Sequence, residues 1–124
     1  MRMLYVEDDR INALLFEEMV RLRGGIELRI AEDGAEALSL AGNWQPDVLV
    51  IDANLPDMTG AELLRRLRTL PGLAGAPAFM CSADSRAYAW PAGEDAGLRG
   101  FWPKPIAIAQ VLADLDALAG TPNA

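Results

Sequence analysis

Val48-Leu49-Val50-Ile51 is an unbroken apolar run that ends in an acid, Asp52. A short run of this kind, rich in β-branched residues, reads as a strand buried on both faces, as in a parallel sheet covered by helices. Working outward, Met3-Leu4-Tyr5-Val6 repeats the pattern and stops at Glu7-Asp8-Asp9. Ile11, Leu14, Leu15, Met19 and Leu22 then recur at helical spacing until Gly24-Gly25, which predicts a helix with that stripe on its core side. Ile26, Leu28 and Ile30 alternate with Glu27 and Arg29, the pattern of a half-exposed strand, and Asp33 to Ala41 reads as a short helix. Beyond Asp52, Thr59-Gly60-Ala61-Glu62 resembles a capping box opening a helix through Leu63, Leu64, Leu67 and Leu70. Ala78 to Cys81 is a fourth strand and Gly100-Phe101-Trp102 a fifth. The last helix carries Ile108, Val111, Leu112, Leu115, Leu118 and Ala119 on one stripe.

Strands alternating with helices specify an open α/β sheet with helices on both faces. The alternating second strand suits an edge, and Pro103 beside the fifth removes a ladder donor, which an edge tolerates. Edges at strands 2 and 5 match a doubly wound, five-stranded parallel sheet of order 2-1-3-4-5. Ligands bind such sheets at the carboxyl ends of the strands, where the order reverses between strands 1 and 3. The acids lie there.

A chain of 124 residues, 52% apolar and 23% charged, has the size and composition of one globular domain. No apolar run reaches the length of a membrane helix and no signal peptide opens the chain, so no membrane partner is expected. The single cysteine, Cys81, sits in an apolar run and reads as a buried small hydrophobe. A reducing, cytoplasmic setting is expected. The net charge of −7 opposes sequence-independent nucleic-acid binding. The absence of histidine excludes His-based catalysis and His metal sites. Lys104 is the only lysine among 11 basic residues.

Glu7, Asp8 and Asp52 follow neighbouring strands. Carboxylates gathered in one crevice repel one another and stay ionised together only with a cation present. Hard oxygen ligands at a strand-end crevice favour Mg²⁺, with Mn²⁺ as the alternative. Any one of these acids is more simply a solvated strand cap; three at adjacent strand ends are harder to dismiss. Lys104, directly after the fifth strand and fixed by Pro105, can reach back toward Asp52 as a point charge beside a phosphoryl group. Ser82 offers a hydroxyl between them, although alone it reads as a turn or cap residue.

These motifs together resemble the response-regulator receiver domain of two-component signalling. The residues that carry the resemblance are Val6-Glu7-Asp8-Asp9, Val50-Ile51-Asp52-Ala53-Asn54-Leu55-Pro56 with Gly60, Ser82-Ala83 and Lys104-Pro105. It implies a flavodoxin-like receiver architecture over residues 1–120, with 121–124 as a tail. It further implies that Asp52 is the phosphoacceptor, with Mg²⁺ bound by Asp8, Asp52, the Asn54 backbone carbonyl and, through water, Glu7. Ser82 and Lys104 would hold phosphoryl oxygens, and Ser82 and Phe101 would act as switch residues. Asn54 and Asp84 would flank the water that removes the phosphoryl group. The donor would be a phosphohistidine on a histidine kinase or a histidine phosphotransfer domain, and no external substrate would be turned over. Asp9 is not expected to be a ligand.

Ala83 to Ala96 departs from the family's pattern: a fourth helix is expected there, yet the segment carries Trp90-Pro91 and Gly93, which break a regular helix. Trp44, Trp90 and Trp102 read as partly buried against the core. Two rivals differ in class. A degenerate receiver would only bind proteins, and a flavin- or nucleotide-binding protein would share the sheet order. The latter's first loop should cradle phosphate, whereas Glu7-Asp8-Asp9 repels an anion. A phosphohydrolase would need a second acid beside Asp52 to act on a leaving group, and none is suitably placed. The sequence is equally that of a free-standing receiver or of a domain from a hybrid kinase or larger regulator.

Overall fold

The computed structural model describes residues 1–83 and 97–119. Asp84, Trp90, Pro91, Gly93, the expected break in the fourth helix and the 121–124 tail lie outside them. The elements run β1 (Arg2–Val6), α1 (Arg10–Arg23), β2 (Glu27–Ala31), α2 (Gly34–Asn43), β3 (Val48–Asp52), α3 (Gly60–Leu67), β4 (Ala78–Ser82), β5 (Leu98–Pro103) and α4 (Ile108–Ala119). The strands form one parallel sheet of order β2-β1-β3-β4-β5. The expected order is therefore found. β3 and β4 are buried along their whole length, whereas β2 alternates between exposed and half-buried positions up to Ala31.

The helix ends follow from local chemistry. Asp9 caps α1, its carboxylate accepting from the Ile11 and Asn12 amides, so this third acid is used by the backbone. Gly24, at φ 76°, ends the helix in a conformation that side chains resist. Thr59 Oγ1 accepts from the Glu62 amide at 3.1 Å, which is the expected cap of α3.

The apolar core lies on both faces of the sheet. One side packs Leu4, Val6, Leu49 and Ile51 against Ala37, Ala41, Leu63, Leu64 and Leu67 of α2 and α3. The other packs Tyr5, Val50, Phe79 and Trp102 against Phe16, Met19, Val20, Val111 and Leu115 of α1 and α4. Tyr5 stacks on Phe16 and Phe79 on Trp102, with ring centroids 4.1 and 4.4 Å apart, and the Trp102 indole donates to Asp114 at 2.7 Å. Trp44 and Trp102 are buried, and Cys81 is a buried free thiol whose burial raises its pKa.

One expectation fails on α1. Its core face is Ala13, Phe16, Met19 and Val20. Of the expected stripe only Met19 is buried: Ile11, Leu14, Leu15 and Leu22 are 70, 55, 66 and 73% exposed. The helix is apolar on two sides, so periodicity alone does not decide which side faces the sheet. The aromatic stack of Phe16 on Tyr5 does. Ile108 at the start of α4 is likewise 58% exposed.

Gly60 shows how tightly β3 is met by the chain that follows it. A Cβ there would lie 2.8 Å from Met80 Sδ and 2.9 Å from Ala53 Cα, and would strike the Asp52 carbonyl. Backbone cannot yield as a flexible side chain can, so Gly60→Ala is expected to cost about 1–3 kcal/mol of stability. Denaturant unfolding at constant m checks this; an unchanged midpoint would contradict it.

Candidate functional site

β1 and β3 are adjacent and parallel, with Val6 opposite Ile51, so their carboxyl ends open at the same edge. Glu7, Asp8 and Asp52 each place a carboxylate oxygen there, all within 4.8 Å of one another. Glu7 and Asp52 are buried and Asp8 is exposed. This is an all-oxygen donor set of the kind a hard divalent cation takes. The described residues thus fit a metal ion, and three of the sequence candidates are brought together.

Lys104 comes in from the end of β5, two strands from β3. Its Nζ donates to Glu7 Oε1 at 2.6 Å and to Asp52 Oδ2 at 3.0 Å. The reach expected toward Asp52 is made, and the ammonium also neutralises Glu7. The Lys104 amide donates to the Ser82 carbonyl at 3.0 Å, tying the end of β5 to that of β4. The Lys104–Pro105 peptide bond is cis.

Burial pushes the Glu7 carboxyl up to about 7, with Asp52 adding to the rise and Lys104 opposing it. Burial would lower the Lys104 pKa, but hydrogen bonds to Glu7 and Asp52 outweigh it and hold the ammonium above its ordinary range. Both directions follow from one arrangement: two buried acids share one cation.

Asp52 Oδ1 accepts from the Asn54 amide at 3.1 Å, so both its oxygens are oriented. Asn54 is exposed and faces Thr59 across an antiparallel bridge. The bridge is closed by Leu55 N–H to the Met58 carbonyl at 3.2 Å and Gly60 N–H to the Ala53 carbonyl at 2.8 Å. These are the groups on either side of Asn54, so the bridge does not use the Asn54 carbonyl. Ser82 is buried at the end of β4, one residue past Cys81, which pairs with Asp52. Phe101 is half-buried on β5 opposite Met80 and packs against the α2–α3 side of the core. Asp84 lies outside the described residues.

Sequence reasoning missed one buried contact. The Tyr5 hydroxyl donates to Glu7 Oε1 at 3.2 Å. A signal was present, since residues two apart on a strand face the same way. Burial is the main reason the Tyr5 pKa is raised, so the hydroxyl stays a neutral donor.

Because Lys104 is the group that holds the Glu7 pKa down, Lys104→Met is expected to raise it above about 7. Carboxyl ¹³C shifts followed across pH in metal-free protein report this. A Glu7 that titrates lower in the variant would contradict the arrangement.

The response regulator receiver domain family matches residues 3–116. The chain is 34% identical over 117 residues to the response regulator MprA of Mycobacterium sp. (strain KMS), covering 94% of this chain and 50% of that protein. It is 41% identical over 111 residues to a response regulator receiver protein of Anaeromyxobacter sp. (strain Fw109-5), covering 90% and 45%. The chain therefore spans about half the length of the curated relatives it matches. Among solved structures, the Vibrio cholerae chemotaxis protein CheY4 superposes with a TM-score of 0.84 at 27% identity, covering 94 and 96% of the two chains. The receiver domain of the hybrid histidine kinase CckA does so at 0.78 and 30%, covering 94 and 97%. The receiver domain of the Pseudomonas aeruginosa sensor histidine kinase PA1611, solved with a magnesium ion in its active-site cleft, shares the fold at 24% identity and a TM-score of 0.81, covering 97 and 98%. With an acid-lined strand-end crevice and a lysine reaching into it, on this sheet and with these relatives, the chain belongs to the response-regulator receiver domains of two-component signalling.

Proposed function

We propose that this receiver takes a phosphoryl group on Asp52 from a phosphohistidine carried by a histidine kinase or a histidine phosphotransfer domain. The observation that carries this is the convergence of Glu7, Asp8 and Asp52 within 4.8 Å, with Lys104 bonded to two of them. The reading assigns Asp8, Asp52 and the Asn54 backbone carbonyl as direct ligands of Mg²⁺, or of Mn²⁺ in its place, and Glu7 as a ligand through water. The bound cation supplies neutralisation of charge on the phosphoryl oxygens.

The protein's own groups set up an in-line displacement. An Asp52 carboxylate oxygen forms the new bond to phosphorus while the bond from phosphorus to the imidazole nitrogen of the donor breaks, its electron pair staying on that nitrogen. The Asn54 amide and Lys104 orient the nucleophile before attack. Lys104 and the Ser82 hydroxyl then hold phosphoryl oxygens, and Ser82 and Phe101 carry the change to the surface, the usual logic of a phosphorylation switch. Asn54 and Asp84 are the residues proposed to guide the water that reverses it. The reading extends to a receiver unit over residues 1–120.

The donor also needs a surface on which to seat. The exposed apolar side chains of Leu15 on α1 and Ile108 on α4 line a cleft together with Lys104, and Ile11 and Leu14 of α1 are exposed as well. An apolar patch at the rim of a site is an ordinary mark of a protein partner.

Acetyl phosphate given with Mg²⁺ is expected to add one phosphoryl group, read by intact mass, and to add none to Asp52→Asn or in excess chelator. Labelling that survives in Asp52→Asn would overturn the assignment, and a wild type that is never labelled would return the chain to a binding module. Leu15→Asp separates the donor surface from the chemistry. It is expected to slow transfer from a phosphohistidine protein by about tenfold, equivalent to 1.4 kcal/mol, while labelling by acetyl phosphate keeps its wild-type rate. Equal slowing with both donors would place Leu15 in the fold and not in recognition.

A further inference from the structure

We propose that Asp57 is a positioning residue for the cation site: it clamps the loop between β3 and α3 to the start of α2, and so fixes the Asn54 carbonyl. This rests on the function proposed above, in which that carbonyl is a metal ligand.

Asp57 touches neither Asp52 nor Lys104 in the hydrogen bonds of the site. Both its carboxylate oxygens are turned away, toward α2. Oδ1 accepts from the Gly34 amide at 2.9 Å and Oδ2 from the Ala35 amide at 3.0 Å. The next amide, Glu36, donates to Asp33 Oδ1 at 2.8 Å. The first three amides of α2 therefore each meet a carboxylate oxygen, one from the adjacent Asp33 and two from a residue more than twenty positions away in sequence. Asp33 by itself is an ordinary N-cap. The second carboxylate does something the helix does not require of a cap: it fastens a distant loop.

The loop it fastens behaves as one piece. Residues 53–60 are closed on themselves by the Ala53–Gly60 and Leu55–Met58 hydrogen bonds, with Asn54 and Thr59 facing each other inside the ring. The base of the ring is pinned where Gly60 packs against the Asp52 carbonyl. The tip is pinned at Asp57. Met58 beside it lies over Gly34 so closely that a Cβ there would come 2.6 Å from its sulfur. A ring held at its base alone can pivot, and Asn54, three residues before Asp57, would pivot with it. A ligand oxygen misplaced by a fraction of an ångström weakens binding to a cation as strict in geometry as Mg²⁺. The amides of Gly34 and Ala35 keep the Asp57 carboxyl below its ordinary range, which favours the charged form of the clamp.

Loss of a negative charge near a cation site weakens binding by itself, so the test uses two variants at high salt, where exposed charges are screened. Asp57→Ala removes the clamp and the charge. Ala35→Pro removes one amide donor at the second position of α2, whose N–H has no acceptor within the helix, and leaves the loop and its charge intact. Mg²⁺ affinity by calorimetry is expected to fall about tenfold in both, while acetyl phosphate labelling at saturating Mg²⁺ keeps its wild-type rate. In ¹H–¹⁵N spectra, Mg²⁺ is expected to shift the Gly34 and Ala35 amides of the wild type and not those of Asp57→Ala, a coupling that a merely structural role would not produce. Wild-type affinity in both variants, a loss confined to Asp57→Ala, or Gly34 and Ala35 amides indifferent to Mg²⁺ in the wild type would each overturn the clamp. A wild type that binds no Mg²⁺ at all would instead remove the reading on which it stands, and the clamp with it.

Discussion

Two carboxylates, Glu7 and Asp52, are buried side by side and share one ammonium, Lys104. Removing charges from water is costly, and a buried group left without its partner costs still more. One lysine cannot balance two acids, and the exposed Asp8 stands within reach of both. Burial, with Asp52 adding to it, lifts the Glu7 carboxyl to about 7 although a cation touches it. A divalent cation would balance what the lysine leaves. In the proposed cycle Lys104 would then be available to phosphoryl oxygens in place of its carboxylates. The same shortage of positive charge at the crevice is what would favour a divalent cation there.

The sheet exists, functionally, to assemble these three strand ends. β1 and β3 are neighbours only because the chain reverses its winding between them, and β5 contributes to the crevice through the long Lys104 side chain, which spans β4. This much is legible in sequence, because each step has a local mark. Unbroken apolar runs mark the inner strands, the alternation of Leu28 and Ile30 marks an edge, and acids mark the strand ends. The facing of α1 is not legible, because Ile11-Leu15-Leu22 and Phe16-Met19-Val20 are both apolar stripes at helical spacing. What separates them is tertiary: Phe16 stacks on Tyr5, and the other stripe meets no sheet. The sequence pattern reports apolar surface, and here part of that surface is kept outside, at the rim of the site.

Within the site, legibility depends on whether the partner is a side chain or a backbone group. Asp8, Asp52 and Lys104 are found by their types and positions, and the Tyr5–Glu7 contact could have been found from the period of a strand. Asp57 could not. Its partners are the amides of Gly34 and Ala35, and a backbone donor leaves no trace in the residue that carries it. Asp9 is the converse case, an acid in the same run as the candidate metal ligands Glu7 and Asp8 that the backbone of α1 takes up as a cap. Acids one position apart are thus divided between candidate ligand and cap by whether the helix has begun.

The division of labour among the cations follows the same logic. The ion pairs of the described surface place arginines on Glu18, Glu27, Glu62 and Asp116, and Arg2 and Arg29 lie over the ring of Trp44 at 5.7 and 4.6 Å. A guanidinium suits such places, since its planar fork locks onto one carboxylate or one ring face and holds it. At the crevice a fixed fork would be a fault. The cation there must satisfy two carboxylates at different angles and, in the proposed cycle, exchange them for phosphoryl oxygens. An ammonium on a flexible stem, with three donors free to rotate, can do so. The only lysine of the chain, among 11 basic residues, stands where the proposed cycle has a cation change partners, and the paired arginines of the described surface stand where none is asked to.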